Sequence, residues 1–213
     1  ESFKRMDFAF FTACAAVTLA LRQNARRAGA SIIDLTYALE DQPNVLVRSP
    51  LVEQAIAGNV AARKLPNLNT PAVIAAHPAS VMLALVAARL QAVVPVASLA
   101  ATIMEPASEY GRSAMDELHQ QTVKLLSFQE LPKQVYDTQV AFNTTPTFGD
   151  AAKFSLGASE SRMRRHYALL TGGRQPEPDI QLLHVPVFHG YGMSLSVELA
   201  EATSLDQMEA SLA

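Results

Sequence analysis

Apolar runs and polar breaks along the chain predict an alternation of strands and helices. Asp7 to Thr12 is short, apolar and aromatic and predicts a buried strand. Val17 to Ala28 suits a helix that stops at Gly29, and Ser31 to Leu35 predicts a second buried strand. Strand, helix, glycine, strand is the grammar of a parallel α/β unit. Asp41 to Asn44, with Pro43, predicts a turn, and Ala57 to Asn69 predicts mostly loop. Val73 to Ala76 predicts a third short strand, followed by a helix from Pro78 to about Leu90.

The later part has a different rhythm. Val93 to Met104 is β-branched and apolar and predicts a long strand; Ser108 to Phe128 and Ser159 to Leu170 predict helices. Gln181 to Phe188 predicts a strand, and Met193, Leu195, Val197 and Leu199 alternate with polar residues as in a sheet with one covered face. Ser204 and Gln207 have capping-box spacing before a last helix. The expected fold is therefore α/β over residues 1–79 and α+β with a mixed sheet over residues 80–213.

Composition narrows the function classes. Of 213 residues, 49% are hydrophobic and 17% charged, which excludes a disordered chain. The net charge of −3 gives no basic footprint for nucleic acid. One cysteine excludes an internal disulfide and a four-cysteine zinc site, and fits a cytoplasmic setting. The five histidines lack metal-ligand spacing, so no metal is expected. Phe8 to Leu21 is short for a membrane span, and Val73 to Val94 contains His77, Pro78, Arg89 and Gln91, so no membrane segment is expected. The chain opens Glu1-Ser2-Phe3-Lys4-Arg5 without an initiator Met or a signal-peptide pattern.

Several residues carry candidate chemistry. Nine glycines form no GxGxxG, so no motif marks a dinucleotide site. Cys14, just after the first strand, is either a reactive thiol or a small buried hydrophobe; the second is the commoner state of a free cysteine. Ser80, at a strand-to-helix junction, is either a helix cap or a hydroxyl nucleophile that needs a base. His189 and Tyr191 share a face if the strand before them persists. Arg162, Arg164 and Arg165 lie with Glu160 and His166 on one helix, as an anion site or a solvated face partly neutralised by Glu160.

Taken in order, these segments resemble the aspartate-semialdehyde dehydrogenase family along nearly the whole chain. DFAFFTA is similar to the strand before the family's cofactor loop, and GASIIDLTYAL to GAxVIDNSSAFR. VIAAHPASVMLAL resembles IIANPNCSTIQMV, and EYGRSAMDELHQQT resembles the GAGxxGMDELxxQ helix. LPKQVYDTQVAFNTTP resembles the proline-and-asparagine segment, and LLHVPVFHGYGMSLSVELAE the late RVPVxxGHxxxVxVE strand pair.

The resemblance implies a partial Rossmann-like nucleotide-binding domain lacking its Gly-rich start, then a semialdehyde-dehydrogenase-type α+β dimerisation domain with a mixed sheet. It implies an internal fragment of a longer protein. It also implies NADP as cofactor, a homodimer, and a reaction in which cysteine attacks an aldehyde, hydride leaves to NADP and phosphate releases the acyl group.

Carried over residue by residue, the motif cysteine falls on Ser80, the histidine on Tyr191, and the substrate-binding arginine on His184. Glu160 and Arg162 fall near the family's Glu and Lys helix pair, and Ala13, Cys14, Ala15 and Thr36 near the cofactor. The expectation is a catalytically silent relative. The alternatives are an active oxidoreductase using Ser80 or Cys14 with His189, and a non-enzymatic module binding a small ligand or a partner. The resemblance also brings Ser80, His184, His189 and Tyr191 into one cleft. The dimer has an argument of its own: Val94, Val96, Ser98 and Ala100 are expected on one sheet face and Val93, Ala97, Leu99 and Ala101 on the other, both largely apolar.

Overall fold

The structure, a computed structural model, describes residues 3–57 and 70–212. The chain divides into two compact units, one of Glu1–Arg89 with His166–Gly172, the other of Leu90–Arg165 with Gly173–Ala213.

The first unit is built on a four-stranded parallel sheet of β1 (Phe8–Phe11), β2 (Ser31–Asp34), β3 (Leu46–Arg48) and β4 (Val73–Ala75), in the order β1-β2-β4-β3. Helix α1 (Ala15–Arg27) follows β1; Ala30 N–H reaches back to the Ala25 carbonyl across Gly29, whose φ of +85° suits glycine. Ala9, Phe11, Ile32 and Ile74 make the apolar core with Ala25 and Leu39. β1 is a half-buried strand, not a fully buried one: Ala9 and Phe11 are covered, while Phe8 and Phe10 on the opposite face are exposed. Strand β3 and helix α2 (Pro50–Ala57) lie between the turn expected at Asp41 to Asn44 and the loop expected from Ala57, where the sequence pattern predicts no element. Both are too short to establish a period, although proline at the first helical position is a start signal. The loop expected over 57–69 lies, from residue 58 on, outside the described residues.

Helix α3 (Pro78–Gln91) begins at the expected proline. In the second unit, β5 (Val96–Glu105) lies between β6 (Asp179–His184), parallel to it, and β7 (Gly192–Leu199), antiparallel. β5 starts later than expected because Val93 and Val94 turn back onto the Leu90 carbonyl. The helix expected from Ser108 is broken: a 3-10 turn over Ala107–Tyr110 ends at Gly111, whose φ of +76° interrupts helical geometry before α4 (Arg112–Leu126) begins. Helix α5 (Leu156–Thr171) is longer than expected, and β6 ends at His184, ahead of Pro186. The capping box of α6 (Leu205–Leu212) is present: the Gln207 amide N–H donates to Ser204 Oγ at 3.3 Å, and Ser204 N–H to Gln207 Oε1 at 3.5 Å.

One face of the mixed sheet is buried through Leu99, Ala101, Ile103, Ile180 and Leu182. The other carries Ser98, Ala100, Thr102, Gln181, Ser194 and Ser196 and is open in the chain. The expectation of two apolar faces fails here. An irregularity between Val96 and Ser98 shifts the register, so Val96 joins Leu99 on the buried side, and the open face is small and polar.

Two polar residues of α4 clamp the long segment that follows it. Buried Glu117 accepts the amide protons of Gln134, Val135 and Tyr136 at 2.7, 2.8 and 3.0 Å. One turn on, Gln121 donates to the Pro132 and Thr138 carbonyls and accepts from Val140 and Ala141. These bonds satisfy the backbone of a loop with no ladder of its own.

Candidate functional site

Strand register in the second unit sets three polar side chains in a row. Glu105, the last residue of β5, pairs in parallel with His184, the last of β6. On the other side, His184 exchanges two 2.9 Å backbone hydrogen bonds with Thr145. Directly paired residues point to the same face, so carboxyl, imidazole and hydroxyl stand side by side. Glu105 and His184 are fully buried. Glu105 Oε1, both His184 ring nitrogens and Thr145 Oγ1 are buried with no hydrogen-bond partner among the described residues. Tyr136 and Phe148 lie 5.0 and 5.2 Å from the imidazole centroid, and Tyr110 at 6.4 Å.

This setting determines charge. Burial, then the neighbouring Glu109 carboxylate, pushes Glu105 up to about 7. The Tyr110 hydroxyl, donating to Glu105 Oε2 at 3.0 Å, and Arg162 pull the other way. Burial lowers His184 to about 4, so its imidazole is neutral at pH 7. Burial and the Glu105 charge push the Tyr110 phenol well above its usual range. Tyr110 also lies 3.3 Å from the buried Ser159 hydroxyl, and Tyr191 donates to Glu109 Oε2 at 2.6 Å.

Of the residues singled out from sequence, His184, Tyr191 and Arg162 thus belong to one cluster with Glu105 and Glu109. Glu160 is held elsewhere: its Oε1 accepts from Arg164 Nε and Nη2 at 3.1 and 3.0 Å, while Arg164 also reaches the Pro178 and Ile180 carbonyls. His189 is exposed. The shared strand face of His189 and Tyr191 does not exist, because β6 ends at His184 and β7 starts at Gly192, with Val187 and Phe188 bonded to Ala107 and Ser108 between them.

In the first unit, Ser80 is fully buried at the third position of α3 and is not its cap. That job belongs to His77: its carbonyl accepts from Val81, and its Nδ1 accepts the Ala79 amide proton at 3.2 Å. The His77 amide in turn donates to His166 Nδ1 at 3.0 Å, which leaves His166 Nε2 to carry the ring proton toward Glu40 Oε2 at 3.1 Å. Tyr37 stacks on the His77 ring and meets the His166 ring edge-on.

Cys14 is exposed rather than buried, because it sits in extended conformation as the residue preceding α1. Ala13 and Ala15 beside it are exposed too. Thr36 bonds through its hydroxyl to Asp34 Oδ1 at 2.6 Å and to Thr18 at 2.9 Å. Buried Asp34 also accepts from the Thr36 and Leu39 amides, so it orders the turn after β2.

Sequence reasoning missed Glu105, Thr145, Glu40 and the partners of His166. A glutamate closing an apolar strand was the one available signal for Glu105. Nothing local marks Thr145, whose role depends on pairing with a distant strand. Among the described residues no helix is long and apolar enough to cross a membrane.

Residues 86–213 match the family model described as semialdehyde dehydrogenase, dimerisation domain. The chain belongs to the semialdehyde dehydrogenase family. A USG-1 protein homolog of Pseudomonas aeruginosa is 32% identical over 95% of the chain and 58% of its own length. An aspartate-semialdehyde dehydrogenase of Rickettsia bellii is 23% identical over 97% of the chain and 59% of its own. A probable aspartate-semialdehyde dehydrogenase from Pseudomonas aeruginosa superposes with a TM-score of 0.77 at 28% identity, covering 96% of this chain and 59% of that one. An NADP complex of the Candida albicans enzyme, at 16% identity and a TM-score of 0.57, shares the fold. The chain therefore spans somewhat under two thirds of these semialdehyde dehydrogenase relatives.

Proposed function

We propose that this chain keeps the semialdehyde dehydrogenase fold and ligand-facing surfaces but does not carry out the family reaction, the NADP-dependent interconversion of aspartate semialdehyde and aspartyl phosphate. The observation that carries this reading is His184. A fully buried imidazole, held neutral by its surroundings, stands at the position the resemblance gives to the substrate-binding arginine. A neutral ring supplies no countercharge for a substrate carboxylate.

Two further replacements act in the same direction. Ser80 stands at the position of the cysteine, and a serine hydroxyl is a far weaker nucleophile than a thiolate at neutral pH. Its ester would also be a poorer acyl donor to phosphate than a thioester. Tyr191 stands at the position of the histidine, and its hydroxyl is bonded to Glu109. A phenol with an ordinary pKa near 10 is a poor proton acceptor at pH 7.

The exposed Ala13-Cys14-Ala15 turn, at the carboxyl end of β1 and the start of α1, fits the edge of a nucleotide: its side chains are small and it lies where parallel sheets place ligands. These residues, with Thr36 beside Thr18, would hold part of NADP, which supplies a hydride acceptor when bound. The partner we propose is a second copy of the chain, docked through the open face of the mixed sheet, where Ala100, Ser194 and Ser196 permit close sheet-to-sheet approach.

The test is a spectrophotometric assay of the purified full-length protein with NADP, aspartate semialdehyde and phosphate. The expected result is no NADPH formation above the no-enzyme blank; turnover near that of active relatives overturns the reading. Sedimentation of the same sample should show a dimer at micromolar concentration, and a clean monomer removes the proposed partner.

A further inference from the structure

Buried polar atoms without partners are few in folded proteins, and each one calls for an explanation. Here they are concentrated: of five such side-chain atoms among the described residues, four belong to Glu105, His184 and Thr145. Backbone pairing holds these residues shoulder to shoulder on one sheet face, so the clustering follows from register rather than from a chance side-chain rotamer.

The chemistry these atoms offer is mixed. The neutral imidazole presents one N–H donor and one acceptor nitrogen, and the Thr145 hydroxyl can do both. Glu105 Oε1 accepts when ionised and can donate when protonated, and burial beside Glu109 puts that change near neutrality. The row itself holds no cation, and Glu109 adds negative charge nearby. Arg162 is a positive charge acting on Glu105 against the effects of burial and Glu109. An anionic head group would meet carboxylates and an uncharged ring. The surrounding Tyr110, Tyr136 and Phe148 rings add apolar walls, the usual composition of a site in which a few polar groups fix orientation. Tyr110, Thr145 and Phe148 are half-buried, whereas the polar atoms of the row lie beneath the surface.

We propose that the Glu105–His184–Thr145 row recognises a compact neutral head group that both donates and accepts hydrogen bonds, a primary carboxamide, in place of a carboxylate. The amide NH2 donates to Glu105 Oε1 and to the acceptor nitrogen of His184. The amide carbonyl accepts from the remaining imidazole N–H or from the Thr145 hydroxyl. This deepens the reading of His184 given above and rests on it for the site's location, but it concerns binding alone.

The experiment is an NMR titration of the full chain with propionamide, propionate and propylammonium, following the His184 ring nitrogens and the Glu105 carboxyl carbon. Propionamide should give saturable shifts with a dissociation constant on the order of 10 mM, as suits so small a probe. Propionate should give none in that range. His184→Phe should weaken propionamide at least tenfold; Thr145→Val, which keeps shape and backbone pairing, should weaken it several-fold and serves if the first variant unfolds. Equal or tighter binding of propionate or propylammonium overturns the proposal. So does an absence of saturation with propionamide, or saturation that both variants leave unchanged. Because no hydride transfer is read, a failure here is distinct from a failure of the turnover assay.

Discussion

Each unit of this protein buries a histidine and a carboxylate, and the two pairs differ in how they are bonded. In the first unit, His166 uses both ring nitrogens, one accepting from the His77 amide and one facing Glu40. In the second, His184 uses neither, and its neighbour Glu105 leaves one oxygen unpartnered. A fully bonded imidazole between a carboxylate and a peptide N–H acts as scaffold: it ties the last turns of α5 to the start of α3. An unbonded imidazole carries a desolvation cost of about 1–3 kcal/mol for each orphaned group and gives the fold no hydrogen bond in return. Such a cost is characteristic of sites kept for binding rather than for stability.

Removing each histidine in turn should separate the two pairs most strongly. His166→Phe removes the bonds that this ring makes to the His77 amide and to the Glu40 carboxylate and should destabilise by about 3 kcal/mol in chemical denaturation. His184→Phe removes two orphaned nitrogens from an aromatic surround and should be neutral or stabilising by about 1 kcal/mol. Similar losses from both variants would erase the distinction.

The two buried groups of the second unit also respond oppositely to pH. The folded chain holds the Glu105 proton up to about pH 7, while an unfolded carboxyl loses it near 4.5, so this group makes stability fall as pH rises through that window. His184 acts oppositely. The unfolded ring binds its proton near 6.5 and the folded ring only near 4, so stability rises with pH between those values. The two trends largely offset each other from about pH 4.5 to 6.5. Glu105→Gln should remove the falling component and make stability climb over that range, with a gain relative to the unsubstituted protein on the order of 2–3 kcal/mol at pH 8. Thermal midpoints measured from pH 4.5 to 8 check this; parallel curves for the two proteins would contradict it.

The smallest effect lies outside both pairs. Cys14 is exposed, so it should react fully with a thiol reagent in the folded protein, and Cys14→Ser should change stability by less than about 0.5 kcal/mol. Labelling only after denaturation would contradict its placement.

Much of the fold was legible in sequence because its signals are local. Alternation from Met193 to Leu199 marked β7, Pro78 marked the start of α3, and Ser204 with Gln207 marked α6. What was not legible depends on pairing between distant segments. The irregularity between Val96 and Ser98 moves Val96 to the same covered side as Leu99, and no local pattern announces it. Thr145 matters only because it pairs with His184, and Glu105 matters only because β5 and β6 end together. The capping of α3 by the His77 ring is not visible in sequence, where Ser80 is the cap candidate. The resemblance located His184 and Tyr191; only packing showed that one is orphaned and the other bonded to Glu109.

The proposed loss of turnover involves several positions, Ser80, His184 and Tyr191, rather than one atom. The most direct measurement is the NADP-linked assay of the full-length Ser80→Cys variant with aspartate semialdehyde and phosphate. On the proposed reading, returning the thiol alone leaves NADPH formation at the blank, because a neutral ring at His184 would offer no charge to a substrate carboxylate and the Tyr191 phenol would be a poor base. Restoration of steady turnover by that single substitution would contradict it.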